Sequence, residues 1–238
     1  MKIVICYIVI SNGPKTDDFC SRFVATYREF PPGIEHETML ICQGGPPPTE
    51  TALIFEGIWP LGVWPHLNDP GWDVSAYIDA ANGPCKEADI MVCMGESVHF
   101  HRAGWLKRFV EAWAAHGPGF YGPFASNLVR AHLQTTCFCT SPVILRQYPV
   151  KVQNRIERMN FEHGERACWR RVSALGMPVR LVTFDGEYEP MAWRYPQNII
   201  YRGTQENCLC WCNHTQGFAE GDATRKRNWS AAADRPFK

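Results

Sequence analysis

The chain of 238 residues carries no surplus of either charge: 24 basic and 24 acidic residues leave a formal net charge of +0. A protein built to grip nucleic-acid backbones needs a basic surplus, so nucleic acid is not an expected partner. No apolar run approaches the roughly 18 residues of a membrane span. Phosphate loops are missing too: there is no G-x-x-x-x-G-K-[ST], and no G-x-G-x-x-G follows the first apolar run. Ordinary nucleotide hydrolysis and dinucleotide redox chemistry lose their usual signatures with them. Neither G-x-S-x-G nor H-E-x-x-H occurs. The opening MKIVICYIVI has no small-residue cleavage pattern behind it, so a first strand is expected there rather than a leader.

Cysteine, by contrast, is plentiful. There are eleven, an odd number, and seven lie in or beside strand-like segments (Cys6, Cys20, Cys42, Cys93, Cys137, Cys139, Cys168). Free cysteine packs as a small hydrophobe, which fits a reduced, cytoplasmic chain. The run CLCWCNH, with Cys208, Cys210, Cys212 and His214, has C-x-C-x-C spacing rather than the C-x2-C pairs that suit tetrahedral zinc. In a strand, that alternation would point three thiols to one face, which serves packing equally well.

The periodicity predicts an α/β order. Lys2 to Ile10 reads as a strand covered on both faces. Thr16 then caps a helix whose Phe19, Phe23, Tyr27 and Phe30 share one face. Thr38 to Cys42 reads as a second strand, Glu50 to Phe55 as a short helix, and Asp73 to Ala81 as another. Ile90 to Met94 is a strand, followed by a helix lined by Leu106, Phe109, Val110 and Trp113. Strand and helix in alternation imply a mostly parallel central sheet flanked by helices, with ligands outside the carboxyl ends of the strands. In the second half GFYGPFAS and LQTTCFCT read as short strands and SPVILRQY as a short helix. FEHGERACWRRVSAL reads as one longer helix, and PVRLVTF as a strand. From Asp185 the chain reads as irregular. Residues 1–221 are expected to form one domain and 222–238 a polar, flexible tail.

Five segments in this order resemble the GT-A glycosyltransferases, and among them the small members of the inverting family 2-like group. They are KIVICYIVISNG, the helix with RFVATYREF, GWDVSAYIDAA, ADIMVCMGESVHFHRAGWLKRFVEAW and NFEHGERACWRRVSALGMPVRLVTFDG, which span roughly residues 1 to 186. The resemblance implies a Rossmann-like GT-A fold and transfer of a sugar from a nucleoside diphosphate donor to a glycan or lipid-linked acceptor. A lipid-linked acceptor would bring the chain to a membrane surface without a span.

The resemblance also assigns roles. The family's Asp-x-Asp loop, whose carboxylates hold Mg²⁺ or Mn²⁺ against the donor diphosphate, corresponds here to Gly95, Glu96 and Ser97. One carboxylate remains, and a solvated turn residue is its alternative reading. Glu162 of FEHGER would be the base that takes the acceptor's proton, with His163 or Glu165 as substitutes. The alternative is a helix start whose acidic residues complement the dipole. Val9, Ser11, Asn12 and Gln43 would border the nucleobase and ribose, and Asp73 would face the ribose or sugar or else cap a helix. Arg202 and His214 would contact the diphosphate, and His214 would join Glu96 at the metal. Trp72, Trp105 and Trp193 are candidates for stacking on sugar faces. A silent nucleotide- or glycan-binding relative of the same fold is the alternative function.

Overall fold

The computed structural model describes residues 1–11, 13–58, 61–66, 72–127, 130–193 and 201–234. The order is β1 (Ile3–Ile10), α1 (Thr16–Glu29), β2 (Glu37–Gln43), α2 (Thr49–Ile54), β3 (Leu61–His66), α3 (Trp72–Asn82), β4 (Ile90–Met94) and α4 (Trp105–His116). The second half continues with β5 (Phe120–Gly122), β6 (Ala125–Ser126), β7 (His132–Leu133), β8 (Cys137–Thr140), α5 (Pro142–Arg146), α6 (Arg155–His163), α7 (Cys168–Ala174), β9 (Val179–Val182) and β10 (Glu187–Tyr188). A single 3₁₀ turn (Pro190–Ala192), α8 (Asn213–Ala219) and α9 (Ala223–Ala233) complete it.

Eight strands form one sheet in the order β3-β2-β1-β4-β8-β5-β9-β10. β1, β2, β3 and β4 run parallel to one another and β5 runs parallel to β9. β8 lies antiparallel between β4 and β5, and β10 is antiparallel at the far edge. The period-2 geometry of a strand explains why β1 is apolar at every position. Ile3, Ile5, Tyr7 and Val9 face a core with Phe23 of α1 and Leu106 and Phe109 of α4. Val4, Cys6 and Ile8 face the opposite core with Tyr77 of α3, Phe161 of α6 and Val172 of α7. The result is a sheet covered by helices on both sides.

Several expectations change. Between residues 49 and 72, a stretch rich in Pro, Gly and Trp where the sequence predicts only the short helix, the structure adds β3; its Pro65 sits on the sheet's outer strand, where a missing N–H is tolerated. Thr16 is the first residue of α1 and makes no cap bond. The helix expected across FEHGERACWRRVSAL is two, α6 and α7, broken after His163. Gly164 takes an extended backbone (φ −75°, ψ −175°), and a Cβ there would strike Asn160. The stretch after Asp185 contains two further helices. Asp222 caps the second by accepting from the Arg225 N–H (2.8 Å), so residues 223–233, expected as a flexible tail, are helical. Trp229 of that helix packs edge-on against Tyr201 (centroids 4.5 Å apart).

Candidate active site at the carboxyl edge of the sheet

Because β8 is antiparallel, its first residues meet the carboxyl end of β4: Met94 pairs with Cys137, and the Gly95 N–H donates to Thr136 O (2.7 Å). One residue earlier, the Thr135 N–H donates to the Glu162 carboxylate (3.0 Å). The acidic loop after β4 and the acidic end of α6, far apart in sequence, thus converge on one edge.

Glu162 stands in the last turn of α6, not the first. The reading of its charge as a complement to a helix start therefore fails, because the carbonyl end of a helix repels a carboxylate. Specific groups hold it there instead. Besides the Thr135 N–H, Arg158 one turn earlier brings Nη1 to 3.7 Å. Arg158 in turn grips Asp73 in the first turn of α3, with Nε at 2.8 Å and Nη2 at 3.4 Å. These three side chains are all largely buried (Arg158 24% exposed, Asp73 17%, Glu162 13%). His132 and His214 approach Glu162 from two other segments. Burial pushes both imidazoles down from the usual 6.5, against the pull of the Glu162 charge. The His163 ring lies 5.4 Å from that of His132. Arg130, Asn160, His163, Gly164, Glu165 and Arg166 line a hollow of about 440 Å³ beside this cluster. A larger one, about 1040 Å³ around Met1, Lys2 and Pro31–Glu37, sits at the amino ends of β1 and β2, where open α/β sheets do not bind ligands.

Glu96 is engaged locally. Its Oε1 accepts from the Ile10 N–H (3.1 Å) and lies 2.7 Å from the Thr16 hydroxyl, while its carbonyl accepts from the Tyr7 hydroxyl (2.6 Å). Burial raises its carboxyl above the usual range, and the Thr16 and Ile10 bonds oppose that shift. The side chain therefore staples the loop after β4 to the turn after β1. Arg22 of α1 completes the staple: it donates to the carbonyl of Ser97 (3.3 Å), to Gln216 (2.5 Å) and to Asn213 (3.3 Å), docking α8 beside the loop. His214 has Glu162 and Arg158 as its electrostatic neighbours rather than Glu96. Among the described residues no three His, Cys, Asp or Glu side chains could hold a metal together. A Mg²⁺ or Mn²⁺ at this loop would have Glu96 as its protein carboxylate, through the oxygen other than the Oε1 bonded to Ile10 and Thr16, with phosphates and water as its other ligands.

On the β2 side, the Ser11 N–H donates to Gln43 O (2.9 Å) and its hydroxyl to Gly45 O (2.8 Å). Gln43 is 6% exposed, and its amide nitrogen has no hydrogen-bond partner among the described residues. A buried donor without an acceptor costs about 1–3 kcal/mol, and a ligand carbonyl or ring nitrogen would recover it. Val9 has its side chain in the core, which leaves only its backbone for a ligand. Arg202 is ion-paired to Asp234 beyond α9. Asn12 and the Trp72 side chain lie outside the described residues. Trp105 and Trp193 are core residues, not platforms for sugar. Trp105 is fully buried, stacks on Phe100 at 3.9 Å and donates to Phe30 O, whereas Trp193 donates to Tyr188 O and packs on Trp169. The CLCWCNH thiols are buried, and none of the eleven cysteines is in a disulfide.

The sequence reading missed Arg158, Thr135, His132 and Arg22. Only Arg158 left a signal: it precedes Glu162 by four residues, the spacing of partners on one helical face.

No protein-family model matches the sequence, and no curated protein matches it. Solved structures do match in shape. A mannosyltransferase, PcManGT from Pyrobaculum calidifontis in complex with GDP-Man and Mn²⁺, aligns over 75% of this chain and 53% of its own at 10% identity, with a TM-score of 0.52. The chain shares the fold of a mannosyltransferase. TarS of S. aureus aligns over 63% of this chain and 30% of its own (11% identity, TM-score 0.46). HddC from Yersinia pseudotuberculosis aligns over 65% and 83% (13% identity, TM-score 0.44). The chain thus spans about half the length of the mannosyltransferase and under a third of TarS. Among the described residues no helix is long and apolar enough to cross a membrane.

Proposed function

We propose that the protein is an inverting glycosyltransferase that moves a sugar from a nucleoside diphosphate donor to a glycan or lipid-linked acceptor. The observation that carries this reading is the placement of Glu162. A carboxylate sits at the disfavoured end of a helix, on the ligand-binding edge of a sheet shared with a mannosyltransferase, fixed by the Thr135 N–H and Arg158. One oxygen accepts the Thr135 N–H, and the other is the one nearest Arg158.

In the proposed reaction Glu162 takes the acceptor's hydroxyl proton as that oxygen bonds to the anomeric carbon. The bond from this carbon to the diphosphate breaks on the opposite face, and the electron pair leaves with the diphosphate. Asp73 matters because it neutralises Arg158, so the guanidinium positions the base without being the base's full counterion. Gln43 and Ser11 are assigned to the nucleobase side, Gly95 and Ser97 to the diphosphate side. No step is assigned to a metal ion.

The engaged carboxylate of Glu96 favours a second reading, a silent relative that binds a nucleotide or glycan without turnover. Two measurements separate them. Calorimetry with UDP, GDP, dTDP and CDP should show saturable binding of one nucleotide; no binding of any of the four sinks both. Slow hydrolysis of the matching nucleotide sugar marks the enzyme, and its absence marks the silent binder.

A further inference from the structure

On the opposite face of the sheet from the acidic loop's staple, two thiols from distant parts of the chain touch. Cys6, in the middle of β1, and Cys85, in the turn after α3, bring their sulfurs to 3.5 Å. Cys93 is the direct neighbour of Cys6 across the β1–β4 ladder. The three sit in one apolar cluster, but their surroundings differ. Cys6 and Cys93 are held inside strands at the sheet's centre, with nothing but core around them. Cys85 belongs to a short turn whose neighbours Gly83, Pro84, Lys86 and Glu87 are all exposed. It is buried only because that turn folds its side chain inward. Small openings of such a turn cost far less than opening the sheet.

We propose that Cys6 and Cys85 form a peroxide-sensitive dithiol, with Cys85 the attacking sulfur and Cys6 the resolving one. The step balances without a metal or a second protein. The Cys85 thiolate attacks one oxygen of a hydroperoxide; the O–O bond breaks, and hydroxide or alkoxide leaves and takes up a proton. The sulfenic acid formed at Cys85 then meets the Cys6 thiol. Its sulfur displaces the hydroxyl as water, the Cys6 proton goes with it, and the disulfide closes. Two thiols lose two electrons in all, and the peroxide gains them.

The choice of attacking sulfur rests on position. Cys85 is at the edge of the cluster; the bond from Cys6 first, then the Lys2 charge, favour its thiolate against burial and Glu37, whereas that same bond, then burial and the neighbouring sulfurs, keep Cys6 protonated. Closing the bond draws the sulfurs from 3.5 Å to the covalent distance of about 2 Å, a movement the turn can supply. It would then tie the carboxyl end of α3 to β1 across a long stretch of chain, the arrangement in which a cross-link constrains the unfolded state most.

The experiment needs no substrate. The full-length folded protein is exposed to graded hydrogen peroxide, quenched with N-ethylmaleimide, digested without reductant and mapped by mass spectrometry. The expected first product is a linked peptide pair containing Cys6 and Cys85, lighter by two hydrogens and separated by dithiothreitol. In Cys6→Ala the disulfide is lost and dimedone labels Cys85 instead. A different cysteine pair closing first, a dimedone adduct appearing first at another cysteine of the unmutated protein, or thiols reacting only once circular dichroism shows unfolding would each overturn the assignment. The map of the unmutated protein decides the matter even if Cys6→Ala does not fold.

Discussion

Arg158 holds Asp73 with two of its nitrogens, at 2.8 and 3.4 Å, and so fastens α6 to the first turn of α3. Asp73→Asn takes away the closer of two carboxylates on this enclosed guanidinium and leaves it Glu162 at 3.7 Å. Asp73→Asn should therefore lower stability by about 2 kcal/mol in urea unfolding, below the fully buried figure because both partners keep some solvent. Asp73→Leu combined with Arg158→Met should regain much of that loss. A double variant as unstable as the sum of the singles would show that the pair does not act as a unit.

Glu162→Gln keeps the shape and an acceptor for the Thr135 N–H but cannot take a proton. Transfer to acceptor should fall by about 100-fold or more while nucleotide affinity stays within about twofold. Affinity falling in parallel with rate would place Glu162 in binding rather than in proton transfer.

Gln43 couples stability and recognition in opposite senses. Replacing it with Met removes a buried amide nitrogen that has no partner among the described residues. The variant should gain about 1 kcal/mol of stability and lose about tenfold in nucleotide affinity. Equal affinity in the two proteins would remove Gln43 from the base pocket.

His99 is buried beside Arg22, and burial first, then that charge, push its pKa from 6.5 down to about 4. Its folded value is depressed, so as pH falls below 6.5 the unfolded chain takes up a proton that the folded chain refuses. Stability at this position is lost progressively down to about pH 4, amounting to about 3 kcal/mol. His99→Phe should flatten the loss of melting temperature in that window. Curves that stay parallel would mean that the imidazole charges freely in the folded protein.

Glu96 runs the other way. Its folded pKa lies above the usual 4.5, so the native state prefers the neutral acid. That contribution is whole below pH 4.5 and is lost as pH rises through the elevated folded value. Glu96→Gln should thus melt relatively higher at pH 8 than at pH 4 when compared with the parent. The opposite order would mean that the Thr16 and Ile10 bonds outweigh burial.

The first half, β3 apart, was legible because its signals are local. Eight apolar residues in a row between Lys2 and Ser11 leave a doubly covered strand as the economical reading, and IMVCM bounded by Asp89 and Gly95 gave β4 to the residue. The second half was less so. The FEHGER segment reads as a helix start from composition, and only the run of α6 up to His163, stopped at a Gly164 whose place beside Asn160 leaves no room for a Cβ, reveals it as an end. Of the candidate site, the two acidic residues were legible and the contacts that join them were not. Glu162 and Asp73 were named from a motif order, but their link through Arg158 is a contact between α3 and α6 that no local pattern encodes. The loss of Trp105 and Trp193 as sugar platforms has the same origin, since burial of a tryptophan is decided by elements distant in sequence.

The position of β8 has a bearing on synthesis. β4 is apolar throughout, and the neighbour that seals it spans Cys137–Thr140, beyond β5, β6 and β7 in the chain. A ribosome making this protein therefore releases a parallel four-strand leaf whose β4 edge stays sticky until some forty further residues have emerged. That interval is the one in which the β4 edge is open to pairing with another strand.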